Sequence, residues 1–268
     1  MTRKQRPFAQ ILAVCLLASP HCAAQWEKLT GLVTTGDGHQ LYISAGGGTN
    51  NRVFRIDGTR TDAFWRNEAD LFSRATDSVT SVTGDGRLVA VRQGYGTFGP
   101  GAFPRSTTWL RSGSETLSTD DGPAAISFDG RYVLVDGRFI RDRVRQTETP
   151  VPRINYSVSR QPISSAGVVI GSSYQSPNDN VGIWDASRGL RTIPSPTPSL
   201  SQLGISDSGN IALAIGGEKL YRIDLSTLQT TLIAFGASSA TLSNDGQRLV
   251  YVGKTGDLSQ AFLFDASN

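Results

Sequence analysis

The chain has 268 residues, of which 26 are basic and 23 acidic, for a formal net charge of +3, with two cysteines and two histidines. Its first 24 residues read as a leader that takes away three basic residues, no acid and both cysteines, so the mature chain carries 23 charges of each sign and no thiol. Those numbers exclude a nucleic-acid binder argued from charge, a disulfide scaffold and a cysteine metal site, while about 244 remaining residues suffice for a large core.

In chain order the leader comes first. Arg3, Lys4 and Arg6 make a basic start, Phe8 to Leu17 is an apolar run too short to span a bilayer, and Ser19-Pro20 breaks it ahead of Cys22-Ala23-Ala24. This predicts a secretory signal peptide cut after Ala24, no membrane insertion once it is gone, and a periplasmic or extracellular product. Neither Cys15 nor Cys22 has the small-residue approach of a lipidated cysteine.

From Gln25 onward one pattern returns: a short apolar stretch, a small-residue turn and a second apolar stretch. The turns are Asp37-Gly38, Asp85-Gly86, Asp129-Gly130, Ala166-Gly167, Asp207-Ser208-Gly209 and Asp245-Gly246, with glycine-to-glycine steps of 48, 44, 37, 42 and 37 residues. Units of about 40 residues built from short strands indicate a β-propeller. The third unit reads Ala124–Ser127, Tyr132–Val135, Phe139–Arg141 and Arg143–Arg145 as strands a to d. The fifth reads Gln202–Ile205, Ile211–Ala214, Leu220–Asp224 and Gln229–Ile233, and the sixth Ala240–Ser243, Leu249–Val252 and Ala261–Asp265. Several third strands end in aspartate, at Asp57, Asp185, Asp224 and Asp265, where the carboxylate is expected to accept bonds from the following turn. No window of a dozen residues has a helical period, although Ala69–Arg74 has room for one helical turn. The expected fold is therefore all-β, a six-bladed β-propeller spanning residues 25–268. The sixth unit lacks a strand d, and Trp26-Glu27-Lys28-Leu29-Thr30 is expected to close that last blade as an N-terminal strand, giving a monomer.

Ser127-Phe128-Asp129-Gly130 before Tyr132–Val135, and Ser243-Asn244-Asp245-Gly246 before Leu249–Val252, resemble the WD40-like repeats of the bacterial TolB-type propellers. Ser206-Asp207-Ser208-Gly209 is a looser match. The serine is missing from Gly84-Asp85-Gly86, the aspartate from Ser164-Ser165-Ala166-Gly167, and the usual proline before the aspartate from every unit. The resemblance implies the fold and an exported habit. It assigns no partner.

Propeller connections fall on two faces. The a–b turns are tight and repetitive, whereas the long connections are Ala45–Asn51, Gln93–Ser106, Ser172–Asn180 and Gly253–Gln260 between strands b and c, and Arg66–Ser78, Gln146–Arg160 and Pro194–Leu200 between strands d and a. Irregular loops on a rigid scaffold are where binding groups concentrate. Tyr95, Phe98, Phe103 and Arg105 lie in a glycine-rich insertion, Tyr174, Asn178 and Asp179 in a polar one, and Tyr156 in the third d–a loop. Such aromatics stack on sugars or fill a partner's pocket, and also pack on their own blade. Pro194-Ser195-Pro196-Thr197-Pro198 reads as an extended, polyproline-like connection.

Catalytic signatures are sparse. His39 is the one histidine after the leader, so neither a zinc site nor a Ser-His-Asp arrangement is indicated. Gly46-Gly47-Gly48 lacks the Lys-Ser/Thr of a phosphate loop. Asp120-Asp121, Glu68 and Asp70 are the carboxylates available for glycoside or lyase chemistry. The expected function is a non-catalytic interaction or scaffold module with a protein or glycan partner, with no cofactor, no metal and no nucleic acid. The alternatives are a carbohydrate-binding surface module, calcium-dependent or not, and a carboxylate-based propeller glycosidase or lyase.

Overall fold

A computed structural model describes residues 28–35, 40–47, 50–57, 60–66, 73–97, 105–112, 115–119, 125–135, 137–152, 154–155, 159, 161–173, 180–255 and 258–266. Among them are 22 strands and no helix. In chain order, sheet one holds β1 (Lys28–Thr34), β2 (Gln40–Gly47), β3 (Asn50–Asp57) and β4 (Arg60–Arg66). Sheet two holds β5 (Ser73–Val82), β6 (Leu88–Thr97), β7 (Arg105–Ser112) and β8 (Glu115–Thr119). Sheet three holds β9 (Ala125–Ile126), β10 (Tyr132–Val135), β11 (Phe139–Asp142) and β12 (Thr147–Pro150). Sheet four holds β13 (Val169–Ser173), β14 (Asn180–Asp185) and β15 (Gly189–Pro194). Sheet five holds β16 (Gln202–Ile205), β17 (Ile211–Gly216), β18 (Lys219–Asp224) and β19 (Gln229–Phe235). Sheet six holds β20 (Ala237–Leu242), β21 (Arg248–Thr255) and β22 (Leu258–Asp265). Every pairing within these sheets is antiparallel between chain neighbours, a run of meanders in which each sheet is one sequence unit.

The core lies in layers between successive sheets. Val33, Tyr42, Val79 and Val91 join sheets one and two, and Ala90, Ile126 and Val133 join two and three. Ile140, Ile163, Val169 and Trp184 join three and four. Ile183, Ile193, Leu203 and Ile223 join four and five, and Leu213, Leu220, Ala240 and Leu249 join five and six. β1 also lies against β20. Alternation along each strand sends one set of side chains to the preceding sheet and the other to the next, so both sheet faces are apolar.

The turns before strand b share one construction. The hydroxyls of Thr35, Thr83, Ser127, Ser164, Ser206 and Ser243 accept the amides of Gln40, Leu88, Tyr132, Val168, Ile211 and Arg248. Thr83 thus supplies the hydroxyl for the unit in which Gly84-Asp85-Gly86 lacks a serine. Asp85, Asp129 and Asp245 accept both that hydroxyl and a turn amide, at 2.6–3.0 Å. The second residue of the turn ties one sheet to the next: the Gly84 amide donates to the Phe128 carbonyl, Ser165 to Asp207 and Asp207 to Asn244. Asp129 donates its amide to the Ser165 hydroxyl.

Several expectations need correction. Arg143–Arg145 is a turn and not a strand, because Asp142 Oδ1 accepts the amides of Val144 and Arg145; strand d of the third unit is β12, Thr147–Pro150. Lys28 and Leu29, expected in the last sheet, pair with Gly46 and Ala45 of β2, which continues the β1–β2 ladder past a register shift at Thr30. Trp26 and Glu27 lie outside the described residues. The long b–c connections are largely paired hairpin: β6 and β7 stay in register to Tyr95↔Arg105, and β21 and β22 to Thr255↔Leu258. Ser73–Ser78, expected in a d–a loop, is the start of β5. Of the segment with room for a helical turn, Ala69–Phe72 lies outside the described residues, and Ser73 and Arg74 are strand.

Candidate functional site

The aspartates of the repeat belong to the turns. Asp185 Oδ1 accepts the Ser187 and Arg188 amides and the Ser187 hydroxyl, and Asp224 Oδ1 accepts the Ser226 and Thr227 amides and the Ser226 hydroxyl. The bonds from the Ser226 hydroxyl and the Thr227 amide hold the Asp224 carboxyl below its ordinary value. Burial works to raise Asp185, yet the Ser187 hydroxyl and the Arg188 amide bring it down. Asp142 is lowered to about 2, first by its bond from Arg131, at 2.7 Å, and then by the amides it accepts. Each carboxylate is held ionised as an acceptor, a state that suits a turn and removes it as a proton donor near neutral pH. Among the described residues no group of three or more His, Cys, Asp or Glu is placed to hold a metal ion.

Gln161 ties three sheets together. Its left-handed backbone, at φ +49°, turns the chain between the bridges Asn155↔Ser172 and Ile163↔Val169. Its amide donates to the Thr80 carbonyl and its carbonyl accepts the Ile205 amide. Its side chain accepts the Val82 amide at 3.2 Å and donates to the Ile126 carbonyl at 2.8 Å. One residue therefore satisfies backbone groups of the first strands of sheets two, three and five. Gln202 does likewise for Ala240, accepting its amide and donating to its carbonyl. The space left beside Gln161, bounded by Val33, Ile205, Leu213 and Leu242, measures about 10 Å³, which is room for one water.

Away from the tight turns, sheet five presents a fixed, exposed aromatic. Gly217 and Glu218 take φ of +56° and +60°, a two-residue reversal that hands β17 to β18. Gly216 has to be glycine for another reason: an added Cβ would collide with the Ser199 carbonyl oxygen and with Thr197 Cγ2. The connection after Pro194 is thus seated on sheet five with Thr197 and Leu200 buried, and is not a free polyproline arm. Beside this reversal, at the end of β19, Phe235 is 69% exposed with the Lys219 ammonium 5.9 Å from its ring centre. Gly236, at φ +71°, is the single residue between β19 and β20, and the Ala237 amide bonds the Glu218 carbonyl. Phe235 stands on pinned backbone.

Tyr95 and Arg105 are opposite partners on β6 and β7. Phe98, Phe103, Tyr156, Tyr174, Asn178 and Asp179 lie outside the described residues, as do His39, Glu68, Asp70 and Asp120-Asp121. Phe235 is not among the residues that the sequence singles out, because Leu232-Ile233-Ala234-Phe235 has the composition of a buried apolar run. The available signal is its place next to Gly236, where the strand ends and leaves the layer.

No family model matches the chain, and no curated protein matches it in sequence. Solved structures do match. An oligogalacturonate lyase in complex with manganese gives a TM-score of 0.54 at 12% identity, over 88% of this chain and 76% of that one. The oligogalacturonate lyase of Vibrio parahaemolyticus gives 0.53 at 8% identity, over 87% and 76%. TolB of Acinetobacter baumannii gives 0.48 at 11% identity over 89% of this chain, which spans about half, 52%, of that structure's length. At these identities the likeness is one of fold, and with its serial antiparallel meanders and apolar layers the chain is an all-β protein with the β-propeller fold of the oligogalacturonate lyases.

Proposed function

We propose that the mature protein is an exported, non-catalytic propeller of six blades, one per sheet, that binds a protein partner through the face of the b–c and d–a connections. The observation that carries this reading is Phe235, 69% exposed on backbone that Gly216, Gly236 and the Glu218 carbonyl hold in place. A rigid aromatic loses little entropy on binding and is the side-chain type that dominates interfaces. Cross-linking in the exporting cell tests it: a partner band kept by Val144→Ala, in a c–d turn, and lost by Phe235→Ala supports the reading. Equal bands for both variants count against it. The leader reading is tested by N-terminal sequencing of the exported product, which should begin at Gln25.

The fold likeness to two oligogalacturonate lyases, one of them holding manganese, favours a second reading in which the same face binds or cleaves an acidic glycan. Incubating the purified protein with oligogalacturonate, with and without Mn²⁺ or Ca²⁺, decides between them. Appearance of unsaturated uronate ends overturns the non-catalytic reading. A thermal shift without product supports a glycan-binding module.

A further inference from the structure

The turn between β14 and β15 sets two guanidiniums on one carboxylate. The buried Asp185 spends Oδ1 on its own turn, accepting the Ser187 and Arg188 amides and the Ser187 hydroxyl. Its Oδ2 meets Arg188 Nε at 2.8 Å and a terminal nitrogen of Arg191 at 3.5 Å. Among the described residues Arg191 Nε has no acceptor, although it is buried. A buried donor without an acceptor is costly, so this cluster is one acceptor short. Sheet three shows the satisfied form: Arg131 gives Nε and a terminal nitrogen to Asp142 Oδ2, at 3.1 and 2.7 Å. Arg191 pairs across from Ile183, two residues before Asp185, whereas Thr149 and Thr231 hold that place in sheets three and five, opposite Ile140 and Arg222. Of these three sheets, sheet four alone puts an arginine there.

We propose that Arg188 and Arg191 hold an oxyanion at this turn, the carboxylate or phosphate group of a small ligand. One carboxylate between two guanidiniums leaves a positive charge uncompensated. Arg188 is the movable partner, with its side chain 56% exposed, while that of Arg191 is 26% exposed. Gly189, at φ +71°, follows Arg188 in the turn, and a Cβ added there would meet nothing within 4 Å, so the turn is open on that side. A guanidinium presents its N–H donors along more than one edge, as a fork that matches carboxylate and phosphate oxygens. As the oxyanion draws Arg188 outward, Arg191 closes on Asp185 with Nε and a terminal nitrogen, in the manner of Arg131, and turns its other edge to the ligand. Binding thereby gives the buried Nε its acceptor, and this differential contact is what favours the bound arrangement. In the β13-β14-β15 meander this turn lies at the opposite end from the β13–β14 connection, so the site needs no part of the Phe235 reading.

Nitrogen-edited NMR of the arginine Nε–H signals in the purified exported protein tests this, with inorganic phosphate and acetate as probes at constant ionic strength. The Arg188 and Arg191 signals should move together and saturate with one of the probes. The probe that saturates at the lower concentration tells whether the ligand group is a phosphate or a carboxylate. Arg188→Gln should weaken that binding about tenfold, the worth of one charge-assisted hydrogen bond, at an unchanged melting temperature. Arg191→Gln should weaken it at least as much; if that variant does not fold, the exposed Arg188→Gln still decides. Three results overturn the proposal: no movement with either probe; movement that sodium chloride alone reproduces, so that salt merely screens the Asp185 pair; or the same affinity in Arg188→Gln as in the parent. Phe235→Ala should leave the titration unchanged, and Arg188→Gln should leave the cross-linked band at Phe235 unchanged, so either reading can fail without the other.

Discussion

Gln161 reaches three sheets through its backbone and side chain together. Its two backbone and two principal side-chain bonds reach Thr80, Val82, Ile126 and Ile205, which belong to three different sheets. Such bonds are modest when made and costly when half-removed, because the abandoned partner stays buried. Gln161→Ala would strand the Val82 amide and the Ile126 carbonyl, so it should cost about 2–4 kcal/mol by the penalty for two buried unsatisfied groups. Gln161→Glu should cost more, since it points a carboxylate oxygen at the Ile126 carbonyl. Urea unfolding of the two variants checks the order. Equal stability of Gln161→Ala and the parent would mean that water enters and replaces the amide.

At the scale of the turn, the hydroxyl and the backbone carry the repeat and the aspartate adds to them. The fourth turn shows this: Ser164 keeps its bond to Val168 and Ser165 keeps its link to Asp207, although Ala166 stands where Asp85, Asp129 and Asp245 stand elsewhere. Ala166 is exposed, so Ala166→Asp should let the Ser164 hydroxyl donate to a carboxylate as Ser127 does to Asp129, at 2.6 Å. The expected gain is about 0.5–1 kcal/mol, typical of restoring a consensus turn residue, read as a higher urea midpoint at unchanged slope. The Asp-Gly spacing made the units and the tight turns legible because a left-handed glycine and a local acceptor are sequence-local requirements, as at Gly130 with φ +74°. The hairpin extensions were not legible. After Val91 the sequence Arg92-Gln93-Gly94-Tyr95-Gly96-Thr97 carries no apolar–polar alternation, so the period-two signal stops while backbone pairing continues to Tyr95↔Arg105. The sheet-to-sheet links through Gly84, Ser165 and Asp207 were equally hidden, since a backbone amide donates whatever side chain it bears. The same holds at the candidate site, where Phe235 differs from a core residue only in where its strand stops.

Across the whole molecule, stability is a series of layers, and the charged turns that recur from layer to layer give it a common acid limit. Asp142 is held at about 2 by the Arg131 guanidinium. Asp224 and Asp245 are lowered first by the Ser226 and Ser243 hydroxyls, and at Asp85 burial pushes upward while the Thr83 hydroxyl and the Arg87 amide together pull further down. A carboxyl with a depressed folded value binds its proton more weakly in the folded chain than in the unfolded one, where it titrates at about 3.9. Its contribution is therefore whole above that value and disappears as pH falls toward the folded one. Several such groups, spread over sheets two, three, five and six, should make stability flat from neutrality to about pH 5 and then fall steeply toward about pH 2. Asp142→Asn should lower the neutral plateau, because it weakens the pairing with Arg131, and should make the acid fall shallower, because one linked proton is gone. Melting temperatures measured between about pH 7 and pH 2 on both proteins test this. A parallel displacement of the two curves, with no change in steepness, would show that the Asp142 proton is not among those taken up on acid unfolding.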